Sequence, residues 1–200
     1  MLRKTFAAVA VASAILAGLA AGPVCAANLV KDGSFEKPTV ASGQLMRFST
    51  GQSIGPWLVV GDNGNVDVFG PGFTYGGCSF VAKKGQQLLD LTGASDSATG
   101  VQQTVKTKSG TTYELSLFVG SIDSSCIDGT TSTVNVFVDG AQIASFVYDA
   151  KKKGTTSTWK KFSTQFQATQ DSTTIAFING DPPADTYNGI DDVVVEPAQQ

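Results

Sequence analysis

Alternation with a period of two constrains this chain more than any other feature of its sequence. Tyr113, Leu115, Leu117 and Val119 fall on one side of an extended segment, with Glu114 and Ser116 on the other. Val134, Val136 and Val138 repeat the pattern, and Phe162, Thr164 and Phe166 alternate with Lys161, Ser163 and Gln165. Successive side chains of a strand point to opposite faces, so such segments are half-buried strands. Asp139-Gly140 then forms a two-residue turn into Gln142–Asp149, a strong hairpin signal. Ile175, Phe177, Val193 and Val195 mark later strands; Trp57–Val60, Val66–Phe69, Gln86–Leu91 and Val101–Thr107 mark earlier ones. That makes about ten strands, separated by Gly, Asp, Asn and Ser clusters, with no stretch of helical periodicity. The expected class is all-β, a sandwich or barrel with one core. The longest irregular stretches expected are Glu36–Pro56, Gly70–Ser79, Ile122–Thr131 and Gly180–Gly189. Long loops on a rigid sandwich are where binding usually sits.

The segment before these strands reads as a leader. Arg3 and Lys4 precede an apolar run from Phe6 to Ala21, followed by Gly22-Pro23 and small residues around Cys25-Ala26. This is the plan of a secretory signal cleaved after Ala26 or Ala27, so residues 1–26 are expected to leave and residues 27–200 to form the domain. A lipoprotein signal would acylate Cys25, but Pro23-Val24 fits that motif poorly. The run is too short and too rich in Ala and Gly for a membrane span, and the sequence ends without a hydrophobic tail, so no membrane partner is expected. Cleavage leaves Cys78 and Cys126, an even pair in an exported chain, which reads as one disulfide. The expected location is therefore secreted, extracellular or periplasmic.

Charge and composition exclude several functions. The chain has 14 basic and 17 acidic residues, and loss of Arg3 and Lys4 leaves 12 basic ones and a net charge of −5. That balance argues against nucleic acid as a partner. There is no histidine, which removes Ser-His-Asp and Cys-His catalysis and imidazole-based zinc sites. No acidic residue carries a recognisable catalytic motif, so enzyme activity is not expected, although a glycosidase needs only two suitably placed acids.

Ordered motifs add a family resemblance. They are Asn28-Leu-Val-Lys-Asp-Gly-Ser-Phe-Glu36, Ile54-Gly-Pro-Trp57, Asn65-Val-Asp-Val-Phe69, Gly85-Gln-Gln-Leu-Leu-Asp-Leu91, Gly100-Val-Gln-Gln-Thr104, Gly110-Thr-Thr-Tyr113, Trp159-Lys-Lys-Phe162 and Gly189-Ile-Asp-Asp192-Val193. Their order and spacing over Asn28–Glu196 resemble the bacterial choice-of-anchor C proteins and a related plant cell-wall family of unknown function. The resemblance implies a single jelly-roll β-sandwich of the galactose-binding-like type. It departs from the choice-of-anchor pattern in carrying no C-terminal sorting tail, which favours a freely secreted protein. It also implies a structural Ca²⁺ held where the first and last motifs lie side by side. The matching groups are the carboxylates of Glu36 and Asp192, with backbone oxygens near Ser34 and in the Lys83–Gly85 turn, Lys84 included. A hard cation of this kind wants six to eight oxygens. The alternative is that Glu36 and Asp192 cap turn amides and pair with lysine.

Candidate ligand contacts come from the loops. Phe73 and Tyr75 lie in a Gly-rich loop, and Tyr187 and Asn188 in the Gly180–Gly189 loop. An aromatic face beside polar groups covers the apolar C–H surface of a sugar while fixing its hydroxyls. Trp57 and Trp159 are expected to be structural. Asp62–Asp67 lacks the spacing and terminal Glu of an EF-hand and reads as a turn. Lys151–Lys153 reads as a solvated hairpin tip. The expectation is a secreted, non-catalytic carbohydrate-binding module for cell-wall or extracellular polysaccharide. The alternatives are a structural or adhesive matrix protein without a glycan ligand and, less favoured, a glycoside hydrolase.

Overall fold

The computed structural model describes residues 27–129, 131–150, 153–183 and 186–199. Residues 1–26, where the leader is expected, with Cys25, and Lys151 and Lys152 of the basic run lie outside the described residues. Among those described, no helix is present, and none is long and apolar enough to cross a membrane.

Fourteen strands form two six-stranded antiparallel sheets and a small ribbon. They are β1 (Leu45–Ser49), β2 (Ser53–Ile54), β3 (Trp57–Gly61), β4 (Asn65–Phe69), β5 (Thr74–Tyr75), β6 (Cys78–Ser79), β7 (Leu88–Asp90), β8 (Thr99–Lys106), β9 (Thr112–Ser121), β10 (Thr131–Val138), β11 (Ala141–Asp149), β12 (Thr158–Gln167), β13 (Ser172–Asn179) and β14 (Gly189–Pro197). The first sheet runs β1-β4-β7-β14-β9-β12 and the second β11-β10-β13-β8-β3-β2; β5 pairs with β6. This is an all-β jelly-roll sandwich of antiparallel sheets.

The alternation read from the sequence is the core. Tyr113, Leu115, Leu117 and Val119 face Val134, Val136 and Val138 between the sheets, with Trp57, Phe177 and Val195. Trp57 is fully buried, and its indole N–H donates to the Asp32 carbonyl at 3.0 Å. The Asp139-Gly140 turn joins β10 to β11 with positive φ at both residues, 49° and 83°, the geometry a two-residue hairpin needs.

Two expectations need correction. The stretch expected to be irregular before Pro56 contains β1 and β2, and Gly70–Ser79 contains the β5–β6 ribbon. Leu-Met-Arg-Phe-Ser has no alternation to betray it, because β1 is an edge strand with an exposed row of side chains, fixed by pairing with β4.

The second correction shapes the function. Loops do not merely join the sheets; three of them fold over the outer face of the first sheet and bury a second apolar cluster there. Phe69, Cys78, Phe80, Leu88, Ile122 and Tyr187 form it, with Phe73, Cys126 and Trp159 packed against them. Cys78 and Cys126 are bonded across this cluster, with Cα atoms 5.8 Å apart. That disulfide was expected from the sequence.

Candidate functional site

Register across the first sheet assembles the site. Arg47 of β1 sits opposite Asp67 of β4, and Asp67 opposite Asp90 of β7. Asp90 lies opposite Gly189 of β14, Gly189 opposite Gly120 of β9, and Gly120 opposite Trp159 of β12. One transverse row thus crosses all six strands on the face turned away from the main core. Its first three members carry charge, its middle two have no side chain, and its last is aromatic.

The glycine pair makes room. A Cβ on Gly189 would meet the Tyr187 hydroxyl and ring, and one on Gly120 would meet the Trp159 ring and the Tyr187 hydroxyl. The two aromatic side chains therefore lie over bare backbone. Tyr187 also packs against Phe80, with ring centroids 4.8 Å apart, and Phe80 against Phe69 at 5.0 Å. Only 2% of Tyr187 is exposed. Burial pushes its phenol well above the ordinary range, with the Asp90 charge adding to the shift.

Between the charged end of the row and the β5–β6 ribbon opens a cleft of about 280 Å³. Leu45, Phe69, Phe73, Tyr75 and Phe80 give it apolar walls, and Arg47, Asp67 and Asp90 line its polar side. Tyr75, 68% exposed, is the most exposed large hydrophobic side chain among the described residues and stands at the mouth. Phe73 leans on Phe69 with centroids 4.4 Å apart. The Arg47 guanidinium grips Asp67 in a two-pronged pair, Nε to Oδ1 at 2.8 Å and Nη2 to Oδ2 at 2.7 Å. This hydrogen-bonded pairing raises the Arg47 pKa above its ordinary value despite partial burial.

Asp90 is held differently. It accepts hydrogen bonds from the Thr92 hydroxyl at 2.9 Å, the Thr92 amide at 3.3 Å and the Asn188 amide at 3.0 Å. These donors are all neutral. Burial pushes its carboxyl up to about 7, the nearby Asp67 charge adds to this, and the hydrogen bonds oppose it.

The structure sorts the ligand candidates read from the sequence. Phe73 and Tyr75 line the cleft together. Tyr187 and Asn188 were expected in an exposed loop and are instead buried. Tyr187 is the cluster's central ring, and the Asn188 side chain donates to the Thr133 carbonyl and to the Asn179 side chain at 2.7 Å. Their segment is pulled inward because the glycine pair leaves a slot that an aromatic ring fills. Arg47, Asp67 and Asp90 were missed as site residues. A signal existed for two of them, since an acid inside Val-Asp-Val-Phe or Leu-Leu-Asp-Leu is a polar group on an otherwise apolar strand.

The segments of the expected calcium site do lie side by side. The Leu29 amide donates to the Val195 carbonyl at 2.9 Å, and the Val193 amide to the Gly33 carbonyl at 2.8 Å. Yet the donors are otherwise engaged. Glu36 Oε1 accepts the Gln86 and Gln87 amides at 2.9 and 3.0 Å, an approach possible because Gly85 has no side chain. Asp192 Oδ1 pairs with the Lys84 ammonium at 2.7 Å. Among the described residues no three acidic, Cys or His side chains gather with metal spacing. As arranged, this set does not fit a calcium ion. Asp191, one residue earlier, accepts the Lys83, Lys84 and Asp192 amides at 2.7, 2.8 and 2.6 Å and ties the same turn to β14. Burial pushes its carboxyl up to about 7 against the pull of those amides.

The fold has a counterpart among solved structures. The chain is similar to a cyclase from Fischerella sp. TAU, at 16% identity and a TM-score of 0.56, over 88% of this chain and 100% of that one. It is also similar to the CBM22-1 xylan-binding domain of Paenibacillus barcinonensis Xyn10C, at 16% identity and a TM-score of 0.48, over 80% and 99% of the two chains. A third likeness, at 16% identity and a TM-score of 0.38, is to the C-terminal domain of EclA, a sugar-binding protein; it covers 48% of this chain and spans 64% of that one. No curated protein matches the chain in sequence. One family model, described as protein of unknown function (DUF642), matches residues 28–196, and the chain belongs to that family.

Proposed function

We propose that the exported protein is a non-catalytic carbohydrate-binding module that holds polysaccharide in the cleft between β1, β4 and the β5–β6 ribbon. One observation carries this reading: Tyr75 and Phe73 form an aromatic wall beside the Arg47–Asp67–Asp90 row, in a cleft of about 280 Å³. Sugars present alternating apolar C–H faces and hydroxyl edges. An aromatic wall covers the first, and carboxylate and guanidinium groups engage the second. Export is supported by the Cys78–Cys126 disulfide, a bond that persists in oxidising compartments.

Migration through gels containing cell-wall polysaccharides tests this directly. The protein is expected to be retarded by at least one polysaccharide. Tyr75→Ala, which removes an exposed ring and leaves the cluster beneath intact, is expected to weaken that binding about tenfold. Retardation by none of them, or retardation indifferent to Tyr75→Ala, returns the chain to the structural or adhesive reading.

A further inference from the structure

The charges lining the cleft do not balance. Arg47 supplies one positive charge, and Asp67 holds it through both prongs of the guanidinium. Asp90 remains, with 2% of its surface exposed. The groups that act on it are Thr92 on its own segment, the Asn188 amide and the Tyr187 phenol from the covering loop, and Asp67 from the neighbouring strand, with the Arg47 charge reaching it from beyond Asp67. The one cation among these, Arg47, is hydrogen-bonded to Asp67, and the donors on Asp90 itself are neutral. A buried carboxylate without a cation is costly, and the cost vanishes when a ligand supplies the charge.

The other walls favour the same ligand chemistry. Phe69, Phe73, Tyr75 and Phe80 surround the polar side. Aromatic faces attract ammonium groups through their negative quadrupole. A neutral sugar would bring Asp90 no cation. An acidic sugar would meet the Asp90 charge and find two of the three Arg47 nitrogens already bonded to Asp67. Resting on the carbohydrate reading above, we infer that the cleft selects glycans bearing a protonated amine, of the glucosamine type, with Asp90 as the residue that determines this specificity. The upward shift of the Asp90 carboxyl agrees with this, since a proton takes the cation's place in the free protein. Near neutral pH, binding RNH₃⁺ then converts Asp90–COOH to Asp90–COO⁻ and releases one proton to solvent.

Calorimetric titration with three matched hexasaccharides tests the inference: fully deacetylated chitohexaose, N-acetylchitohexaose and hexagalacturonate. At mildly acidic pH the deacetylated probe is expected to bind about tenfold tighter than the acetylated one, a charge-assisted contact against a neutral one. Its titration alone is expected to show proton release in buffers of differing ionisation enthalpy. Asp90→Asn is expected to erase the preference and the proton release. Arg47→Gln, which strips Asp67 of its partner, is expected to enlarge the preference, so the outcome does not rest on one variant. Equal or tighter binding of the acetylated or acidic probe overturns the amine inference and leaves the carbohydrate reading standing. A preference that survives Asp90→Asn also overturns it. Failure of all three probes to bind overturns it too, while the polysaccharide gels decide the broader reading separately.

Discussion

Asp90 and Asp191 are two carboxyl groups that folding makes harder to ionise. Burial is the leading cause in both, and each is pushed from 3.8 up to about 7. Between about pH 4 and pH 7 the native protein therefore holds protons that the unfolded chain has released, and stability falls as pH rises through that window, then levels off above it. A shift of this size corresponds to about 4 kcal/mol at Asp90 as an upper bound. Asp90→Asn keeps an oxygen for the Thr92 and Asn188 amides and offers an N–H₂ to the Thr92 hydroxyl, so its geometry survives. Urea unfolding at several pH values is expected to show wild-type stability declining from about pH 4 to pH 7. In Asp90→Asn the decline is expected to be about half as steep, with the variant more stable than wild type at the alkaline end. A variant whose curve parallels the wild type would show that Asp90 ionises freely in the fold. Lysine at position 84 sits close to Asp191 through its backbone amide, but its ammonium goes to Asp192, which explains why Asp191 gains no neutralising partner.

Elements show where the sequence was legible. Strands β9, β10 and β12 announce themselves because one face meets the core and the other meets solvent or loops, and alternation records that difference. The β10–β11 turn is equally plain. Asp139 and Gly140 both need positive φ, and Asp139 additionally accepts the Thr174 amide at 2.8 Å, tying the turn to β13. Gly140→Ala puts a Cβ into left-handed backbone with nothing else in contact, so the expected loss is the local strain alone, about 1 kcal/mol in thermal or urea unfolding. Strand β1 was illegible because an edge strand owes its place to its neighbour rather than to a buried face of its own. The cleft residues were illegible for a related reason. Arg47, Asp67 and Asp90 are separated by about twenty residues each along the chain and meet only through antiparallel register, which no local pattern encodes. Tyr187 misled because an aromatic in a polar loop looks exposed. The slot that receives it is made by Gly120 and Gly189, and a glycine in a strand says that something approaches closely without saying what.

At the scale of the whole molecule, two apolar cores share the first sheet. The larger lies between the sheets, and the smaller lies between the first sheet and the loops that cover it. The cleft belongs to the second, so its walls are only as rigid as those loops. Tyr75 is the cross-strand partner of Cys78, and Cys78 is bonded to Cys126 in a different covering loop. The disulfide thus holds the aromatic wall against the sheet as well as shortening the unfolded chain. It closes a span of 48 residues. In the chain-entropy account a loop of that length stabilises by about 4 kcal/mol. Replacing both cysteines by alanine is expected to lower unfolding stability by about 3–4 kcal/mol and to leave the sheets folded, because the main core has no cysteine in it. The two effects separate experimentally. Hydrogen exchange in the double variant is expected to accelerate first in residues 70–82 and 122–128, while amides of β9, β10 and β13 exchange only with global unfolding. Polysaccharide binding should weaken in step with that local loosening. Protection that falls uniformly across both sheets would mean that the two cores unfold as one unit, and that the cleft borrows its rigidity from the sandwich rather than from the bond across its roof.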